Sequence, residues 1–289
     1  MVMKFMLTVN PRDGMTLDQF NYEWGVIHPS LMITTPSVMR GFERYAQHRR
    51  ARGATDEHYQ YGRHPQDWYG MSDHWLPSLD ALFAIFQAAD YPRRMGDHDF
   101  GNGSFVLELV EGEVLHDQPV PFTGRGGVKL VNFIARDPLL EQHAFARRWR
   151  TDYAPAVVKL AGHGRLLRYA QSTQLPLDAT LFEGSLFAAG GVQTYAGIEE
   201  LWFADLDQLR AWHDEREQDT AVTDAAQGLI DPQASFSLVV VERVLWDYTT
   251  ATPPPRPAVE DPQSLEARLV AGEFEPGEWD RVRKVSQQR

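Results

Sequence analysis

Histidine is the side chain of this sequence best suited to proton transfer near neutral pH, and its distribution is uneven. The 289-residue chain has 10 histidines, seven before residue 120 and three after it. His28 lies four residues after Trp24, so on one helix it extends the apolar stripe begun by Leu17 and Phe20. At a pocket edge it is predicted to act as a general acid or base. The alternative is a helix-end histidine bonded to a backbone carbonyl.

Two other histidines could complete an acid–base pair with His28. His74 lies on a predicted strand, 68–75, in which alternation puts His74 and Trp75 on opposite faces. The sequence does not tell which face points to the pocket, and a histidine at the barrel interface is the alternative. His98 lies between two aspartates, and a carboxylate beside an imidazole can fix its tautomer. Neighbours in sequence often point apart, which leaves the role of His98 open.

The predicted substrate contacts are mostly aromatic and basic. The polar stretch 53–67 is predicted to be a loop, and within it aromatic, basic and imidazole side chains could close over an aromatic molecule and orient a phenol. A solvated surface loop is the alternative. The full set of predicted contacts is Trp24, Tyr61, Arg63, His64, Tyr69 and Trp75.

An internal repeat organises the elements that must position these residues. The tetrapeptide R-Y-A-Q occurs at 44–47 and again at 168–171, after a tryptophan and a proline in each case. Ordered matches between the two copies have offsets of 124 to 127 residues, which indicates a duplication. Tyr45 of the first copy could donate a proton, but its recurrence as Tyr169 also suits a structural role.

The two copies differ in their histidines. His28 of the first copy corresponds to Ala154 of the second, and His74 corresponds to Leu201. Duplication frees one copy from function while it still completes the fold. We therefore predict one working pocket in the first half, with the second half mainly as scaffold.

Each copy has the predicted element order β-α-β-β-α-β, which is typical of the ferredoxin-like motif. The predicted fold class is α+β, with two tandem ferredoxin-like units packed sheet to sheet as a barrel within one chain, because a sheet with helices on one face must cover the other. The predicted units are 1–123 and 128–248, joined by the glycine-rich linker 124–127. A proline-rich linker and helical tail, 249–289, follow.

The order of elements, the W-x4-P of the first copy and the strand ending in R-Y-A-Q resemble the EthD family of the dimeric α+β barrel superfamily. The resemblance covers nearly all of residues 1–248. It implies a pocket between sheet and helices and a histidine just before the proline, the position of His28. It also implies a range of chemistries, from cofactor-free cyclases, isomerases, decarboxylases, dehydratases and oxygenases to haem enzymes, so fold alone does not determine function.

Composition excludes several classes of function. A net charge of −12 disfavours nucleic acid as a partner, and the absence of cysteine excludes thiol chemistry and disulfides. No nucleotide-binding motif or metal-ligand spacing occurs, so neither a metal nor another cofactor is predicted. The N-terminal apolar run is too short for a signal peptide or a membrane span. These features favour a cytoplasmic protein without membrane partners; a homodimer is possible.

The predicted function is a cofactor-independent lyase or isomerase acting on an apolar, phenolic aromatic small molecule. The catalytic candidates are His28, His74, Tyr45 and His98, with His28 abstracting a proton. Two alternatives stay open: a haem-binding or cofactor-free oxygenase of the same barrel superfamily, and a non-catalytic small-molecule-binding or stress-related protein.

Overall fold

A computed structural model describes residues 2–96, 100–119, 127–176, 179–185, 187 and 195–254. Eight strands and nine α-helices occur in these ranges. The strands are β1 (Val2–Val9), β2 (Arg44–Arg50), β3 (Gly70–Leu76), β4 (Leu107–Asp117), β5 (Val128–Ile134), β6 (Arg168–Gln174), β7 (Gly197–Phe203) and β8 (Phe236–Asp247). The helices are α1 (Leu17–Tyr22), α2 (His28–Ile33), α3 (Pro36–Gly41), α4 (Leu79–Gln87), α5 (Asp90–Met95), α6 (Gln142–Arg148), α7 (Ala154–Ala161), α8 (Leu206–Gln218) and α9 (Thr220–Ala226).

The strands form one closed antiparallel barrel in the order β1-β3-β2-β8-β5-β7-β6-β4. Strands β1 to β4 are neighbours in one half of the barrel, and β5 to β8 are neighbours in the other. The β2–β8 and β4–β6 pairs join the halves. The fold is therefore a mixed α+β barrel, and closure leaves no open sheet edge.

The barrel interior is mainly apolar at one end, where Glu108 is also buried, and charged at the other. Met6, Met71 and Val131 lie in the apolar cluster, together with Phe133, which stacks on Phe236 with ring centroids 4.4 Å apart. The charged part consists of Lys4, Arg44, His48, Asp73, Lys129, Glu200 and Glu242. All seven are buried. Buried charges need partners, and here each charged side chain lies against one of opposite charge within the group.

Both halves carry a π-helical turn where the first helical segment meets the sheet. The turns are Glu23–Ile27, between α1 and α2, and Trp149–Tyr153, between α6 and α7. Gly70 and Gly197 let the two tryptophans pack directly on the sheet. A Cβ at Gly70 would lie 3.1 Å from the Trp24 ring and 2.2 Å from the His48 carbonyl oxygen. A π-turn inserts one residue, which changes the direction of the side chains that follow it.

Local sequence signals have mixed outcomes. The Thr16–Gln19 motif forms a capping box at the start of α1, and the Ser78 side chain caps α4. The predicted buried stripe is correct for Phe20 and Trp24 but wrong for Leu17, which is 53% exposed. Leu17 is the first residue of α1, and its side chain lies largely in solvent.

Some predicted features lie outside the described residues. These are His98, residues 124–126 of the predicted linker and residues 255–289 of the predicted tail. Within the described part of the chain, no helix combines the length and apolar character needed to cross a bilayer.

Candidate active site

A cavity of about 330 Å³ lies between strands β1 and β3 and the helices of the first half. Its walls are mainly apolar and aromatic. They include Phe5, Leu7, Trp24, Met32, Phe42, Met95, Phe100, Phe105 and Phe187. The volume is at the lower end of the range for small-molecule sites. Among the described lining residues, the ionisable side chains are His28, His74 and Tyr91.

His28 reaches the cavity because of the π-turn before it. It is the first residue of α2, it is followed by Pro29, and its backbone N–H donates to the Glu23 carbonyl. The imidazole is half-buried. Its ring makes an edge contact with Phe100, at a centroid distance of 4.9 Å, and a longer one with Tyr45, at 6.3 Å. His28 is thus held at the cavity wall by aromatic neighbours.

His74 lines the cavity from the sheet. Its Nδ1 lies 3.0 Å from the Phe5 carbonyl oxygen, which can only accept a hydrogen bond. Nδ1 therefore carries the proton, and Nε2 keeps its lone pair. The ring stacks on Tyr45, with centroids 4.7 Å apart and planes inclined by 14°. Burial lowers the pKa of His74 to about 4, which keeps the imidazole neutral at physiological pH.

This low pKa predicts a specific pH dependence of stability. The unfolded chain binds a proton at His74 near pH 6.5 and the folded chain only near pH 4, so stability falls as pH is lowered between these values. The loss attributable to His74 is expected to approach about 3 kcal/mol. Urea unfolding at pH 7 and pH 4.5 measures it, and His74→Leu should lose less stability than the wild type on acidification. Equal losses in the two proteins would contradict the low pKa.

Tyr45 lies behind His74 and is not among the residues that line the cavity. Its hydroxyl accepts a hydrogen bond from Gln47 Nε2 at 2.9 Å. Burial raises the pKa of Tyr45, so it stays protonated. The same bond recurs between Gln171 Nε2 and the Tyr169 hydroxyl at 2.6 Å. This geometry suits a structural role for Tyr45, the alternative that its recurrence in the sequence already offered.

Tyr91 is a cavity residue that sequence reasoning missed. It lies on the short helix α5, it is 6% exposed, and burial raises its pKa. Within the described residues its hydroxyl makes no hydrogen bond, which leaves an O–H donor at an apolar cavity. The preceding Asp90 and following Pro92 mark the start of a helix. They could have located α5, but not the direction of the Tyr91 side chain.

The predicted substrate contacts separate into three groups. Trp24 lines the cavity with His28 and His74. Trp75 lies on the other face of β3, in the barrel interior, where the Arg44 guanidinium lies 4.7 Å from its ring centroid. Tyr69 lies beside the site; its hydroxyl donates to Asn21 at 2.9 Å and its ring packs on Phe20.

The remaining predicted contacts are on loop 53–67, which crosses to the second half of the barrel. The Tyr61 backbone N–H donates to the Ser237 hydroxyl at 3.0 Å, and Arg216 donates to the Tyr61 hydroxyl at 3.4 Å. Arg63 pairs with Asp56 and Asp67, and His64 stacks on Trp68 at a centroid distance of 5.4 Å. None of these loop side chains lines the described part of the cavity.

The corresponding segment of the second half crosses in the opposite direction. Phe182 and Phe187 pack on Phe5, with ring centroids 6.1 Å and 5.1 Å away, and Phe187 also lines the cavity. Each half thus contributes side chains to the helix–sheet interface of the other. The first-half site is therefore composite and requires the complete barrel.

The second half has different side chains at the equivalent place. Leu201 replaces His74 and the buried carboxyl of Glu199 replaces Ser72. The hydroxyl of Tyr153 accepts from Arg216 at 3.3 Å in the same region. Burial raises the pKa of Glu199, although Arg216 opposes this. The histidines of the first-half cavity are thus not repeated in the second half.

One group of side chains in the barrel interior has metal-ligand character. His48, Asp73 and Glu242 each place one ligand atom within 4.8 Å of the others. The Lys129 ammonium lies 2.9 Å from His48 Nε2, and the Arg44 guanidinium pairs with both carboxylates, at 3.1 and 3.2 Å. Because these cations already neutralise the carboxylates, the group is an internal ion network.

The structure is an α+β barrel with a cavity between the sheet and the helices of its first half. The EthD domain family matches residues 12–99 and 137–233, more than half of the chain. The chain therefore belongs to the EthD domain family, and it carries the domain twice. No curated protein sequence matches significantly.

Two solved structures are similar to this chain, and the first supports its fold. An anthrone oxidase-like protein is 13% identical, with a TM-score of 0.55, over 87% of this chain and 96% of its own. A mutant chlorite dismutase from Candidatus Nitrospira defluvii is 11% identical, with a TM-score of 0.43, over 84% of this chain and 90% of its own. At 13% identity, the similarity to the anthrone oxidase-like protein supports a shared fold and says nothing about the chemistry of this chain.

Proposed function

We propose that the chain is an enzyme that moves protons on an apolar, phenolic aromatic molecule bound in the first-half cavity. The observation that carries this proposal is an aromatic-walled cavity whose described ionisable residues are two histidines and one tyrosine. Dry, apolar walls around a few convergent polar groups are typical of small-molecule sites.

The lining favours a neutral ligand. Among the described lining residues there is no lysine or arginine to pair with a carboxylate or phosphate. Aromatic walls such as Phe5, Phe100 and Phe187 can stack on a planar ring system. The substrate class that fits is therefore an uncharged aromatic compound with one or two hydroxyl or keto oxygens.

The three polar groups suit different roles. Half-buried His28 is the general base, since an imidazole at the cavity edge can exchange protons with solvent. Neutral His74 offers Nε2 as an acceptor for a phenolic O–H. Tyr91 keeps its proton and donates to an oxygen that becomes negative when a neighbouring C–H is ionised. Elimination, isomerisation and cyclisation can begin with such a C–H ionisation. Retro-aldol cleavage begins instead with removal of a hydroxyl proton, and decarboxylation with the C–C cleavage that releases CO₂; in both, the same donor can stabilise the oxyanion that forms.

A haem fits this cavity poorly. Haem propionates need cationic or hydrogen-bonding partners, and the described lining provides no lysine or arginine. Reaction of the deprotonated substrate with dioxygen is a second candidate, because an apolar cavity admits apolar O₂. It begins with the same proton abstraction by His28, and oxygen consumption distinguishes it from a lyase or isomerase reaction.

We also infer the organisation of the chain. Residues 1–123 and 128–248 are proposed to be two fused ferredoxin-like units joined through 124–127, the first with the working pocket. The strand orders support this interpretation, because β4-β1-β3-β2 in the first half and β8-β5-β7-β6 in the second are the same arrangement of fourth, first, third and second strands. The tail, 249–289, and a homodimer stay predictions.

Anthrone is a suitable first probe, because it is a neutral tricyclic ketone with an acidic methylene group. The wild-type protein is expected to gain thermal stability with anthrone and to accelerate exchange of its methylene hydrogens in D₂O. Oxygen consumption is recorded in the same samples. Absence of both stabilisation and exchange, with anthrone and with a panel of phenols, would contradict the proposed function.

Tyr91→Phe tests the donor role. Loss of a hydrogen bond to a developing oxyanion should lower kcat for anthrone exchange by about a hundredfold, with a small change in KM. Tyr22→Phe is the control, because Tyr22 is 57% exposed on the outer surface. Equal rates in the two variants would remove Tyr91 from the mechanism.

A further inference from the structure

Gln47 connects the two parts of the fold that carry the cavity histidines. It lies on β2, on the face toward the helices, and is fully buried. Its Nε2 donates to the Trp24 carbonyl at 2.5 Å and to the Tyr45 hydroxyl at 2.9 Å. One side-chain amide thus bonds to the π-turn and to the sheet.

The Trp24 carbonyl needs this partner because of the local sequence. In the π-turn the His28 N–H donates to the Glu23 carbonyl. The next donor in the same pattern would be residue 29, but Pro29 has no N–H. A buried carbonyl without a donor is costly, and the Gln47 amide supplies the missing one.

Both bonds of Gln47 lead to a histidine. Trp24 precedes His28 by four residues within the helical segment, so fixing its carbonyl fixes the turn that aims His28. Tyr45 stacks on His74, so fixing its hydroxyl holds the surface against which His74 packs. We propose that Gln47 is a positioning residue that fixes the position and orientation of the His28 ring relative to the His74 ring. This inference rests on the proposed function of the same cavity.

The second half contains a matched control. Gln171 Nε2 donates to the Tyr169 hydroxyl at 2.6 Å and to the Trp149 carbonyl at 3.4 Å. There the Ala154 N–H also donates to the Trp149 carbonyl, so that carbonyl already has a backbone partner. No histidine follows the turn, since Ala154 takes the position of His28.

The experiment compares Gln47→Leu with Gln171→Leu in the full chain. Both are expected to lower the thermal midpoint. Only Gln47→Leu should shift the ring NMR signals of His28 and His74, which are assigned from the His28→Ala and His74→Leu variants. Only Gln47→Leu should lower kcat for anthrone exchange, by tenfold or more, with KM changed less than about threefold.

A rescue variant separates positioning from loss of stability. Pro29→Ala restores an N–H that can reach the Trp24 carbonyl, as Ala154 does for Trp149 in the second half. The double variant Pro29→Ala/Gln47→Leu should therefore regain the His28 signals while those of His74 stay shifted. If Gln47→Leu does not fold, Tyr45→Phe removes one of the two bonds and should shift the His74 signals alone.

The outcomes distinguish this inference from the proposed function. Unchanged histidine signals in Gln47→Leu, or equal losses of kcat in the Gln47 and Gln171 variants, would overturn the positioning role. Failure of the wild type to exchange anthrone would count against the proposed function only, because the NMR comparison needs no turnover.

Discussion

Replacement of His28 by alanine is expected to lower kcat for anthrone exchange at least about a hundredfold, the usual scale for loss of a general base. Of the two cavity histidines, only His28 is suited to this role. It is half-buried and held by ring contacts, whereas burial lowers the pKa of His74 to about 4. A base with so low a pKa takes up protons poorly, so His74 cannot replace His28.

The effect should fall on kcat and leave KM almost unchanged, because the apolar walls that bind the ring system remain intact. His143→Ala is the control, since His143 is an exposed histidine on α6 of the second half. Thermal unfolding of both variants within a few degrees of the wild type would show that the barrel is intact. Turnover of His28→Ala at the wild-type rate would rule out its role.

Most of the strands and helices of the barrel could be predicted from the sequence, because their pattern repeats along the chain. The repeated R-Y-A-Q strands and their tryptophans predict the order of the elements in both halves, because covalent spacing is preserved between copies. The capping box of Thr16 and Gln19 and the N-cap Ser78 mark helix starts locally. Signals within one short stretch of chain therefore predict the elements well.

The sequence did not predict which side chains of a strand point toward the helices and which point into the barrel interior. Alternation along β3 separates His74 from Trp75, but both faces of the strand are buried, one by helices and one by the barrel interior. A pattern of polar and apolar residues identifies the buried face only when the other face meets water. The structure places His74 toward the helices and Trp75 in the interior.

The contributions of the loops were also beyond the sequence. Tyr61 and Phe187 both leave their own half and pack against the other, through contacts between residues far apart in the chain. The composition of a loop indicates what chemistry its side chains could perform, but not which part of the fold they contact. Tyr91 was missed for a related reason, because a six-residue helix is too short for periodicity to define its inner face.

The largest effect on stability is expected at Lys129, at the centre of the buried ion network. Its Nζ lies 2.7 Å from Glu200 Oε1, 3.4 Å from Glu242 Oε1 and 2.9 Å from His48 Nε2. Burial alone would lower the pKa of Lys129, but the two carboxylates raise it above its ordinary value. The ammonium is therefore charged and joins strands of both halves inside the barrel.

Lys129→Met keeps the length of the side chain and removes the charge. It leaves Glu200 with Lys4 and Glu242 with Arg44 as their remaining partners. Removing one member of a buried ion pair costs about 3–5 kcal/mol, so the urea midpoint should fall markedly. Lys159→Met is the control, because Lys159 is exposed on α7 and should change stability by less than about 0.5 kcal/mol.

A second substitution tests the cause. Burial raises the pKa of Glu200, but Lys129 and Lys4 lower it to about 2, so its carboxylate stabilises the folded state above pH 4.5 and loses this effect as pH falls toward 2. Removing that charge should relieve the imbalance that Lys129→Met creates. The double variant Lys129→Met/Glu200→Gln is therefore expected to be more stable than the sum of the single losses. Strict additivity would show that Lys129 and Glu200 are not energetically coupled, and a Lys129→Met midpoint equal to that of Lys159→Met would show that the buried ammonium does not stabilise the barrel.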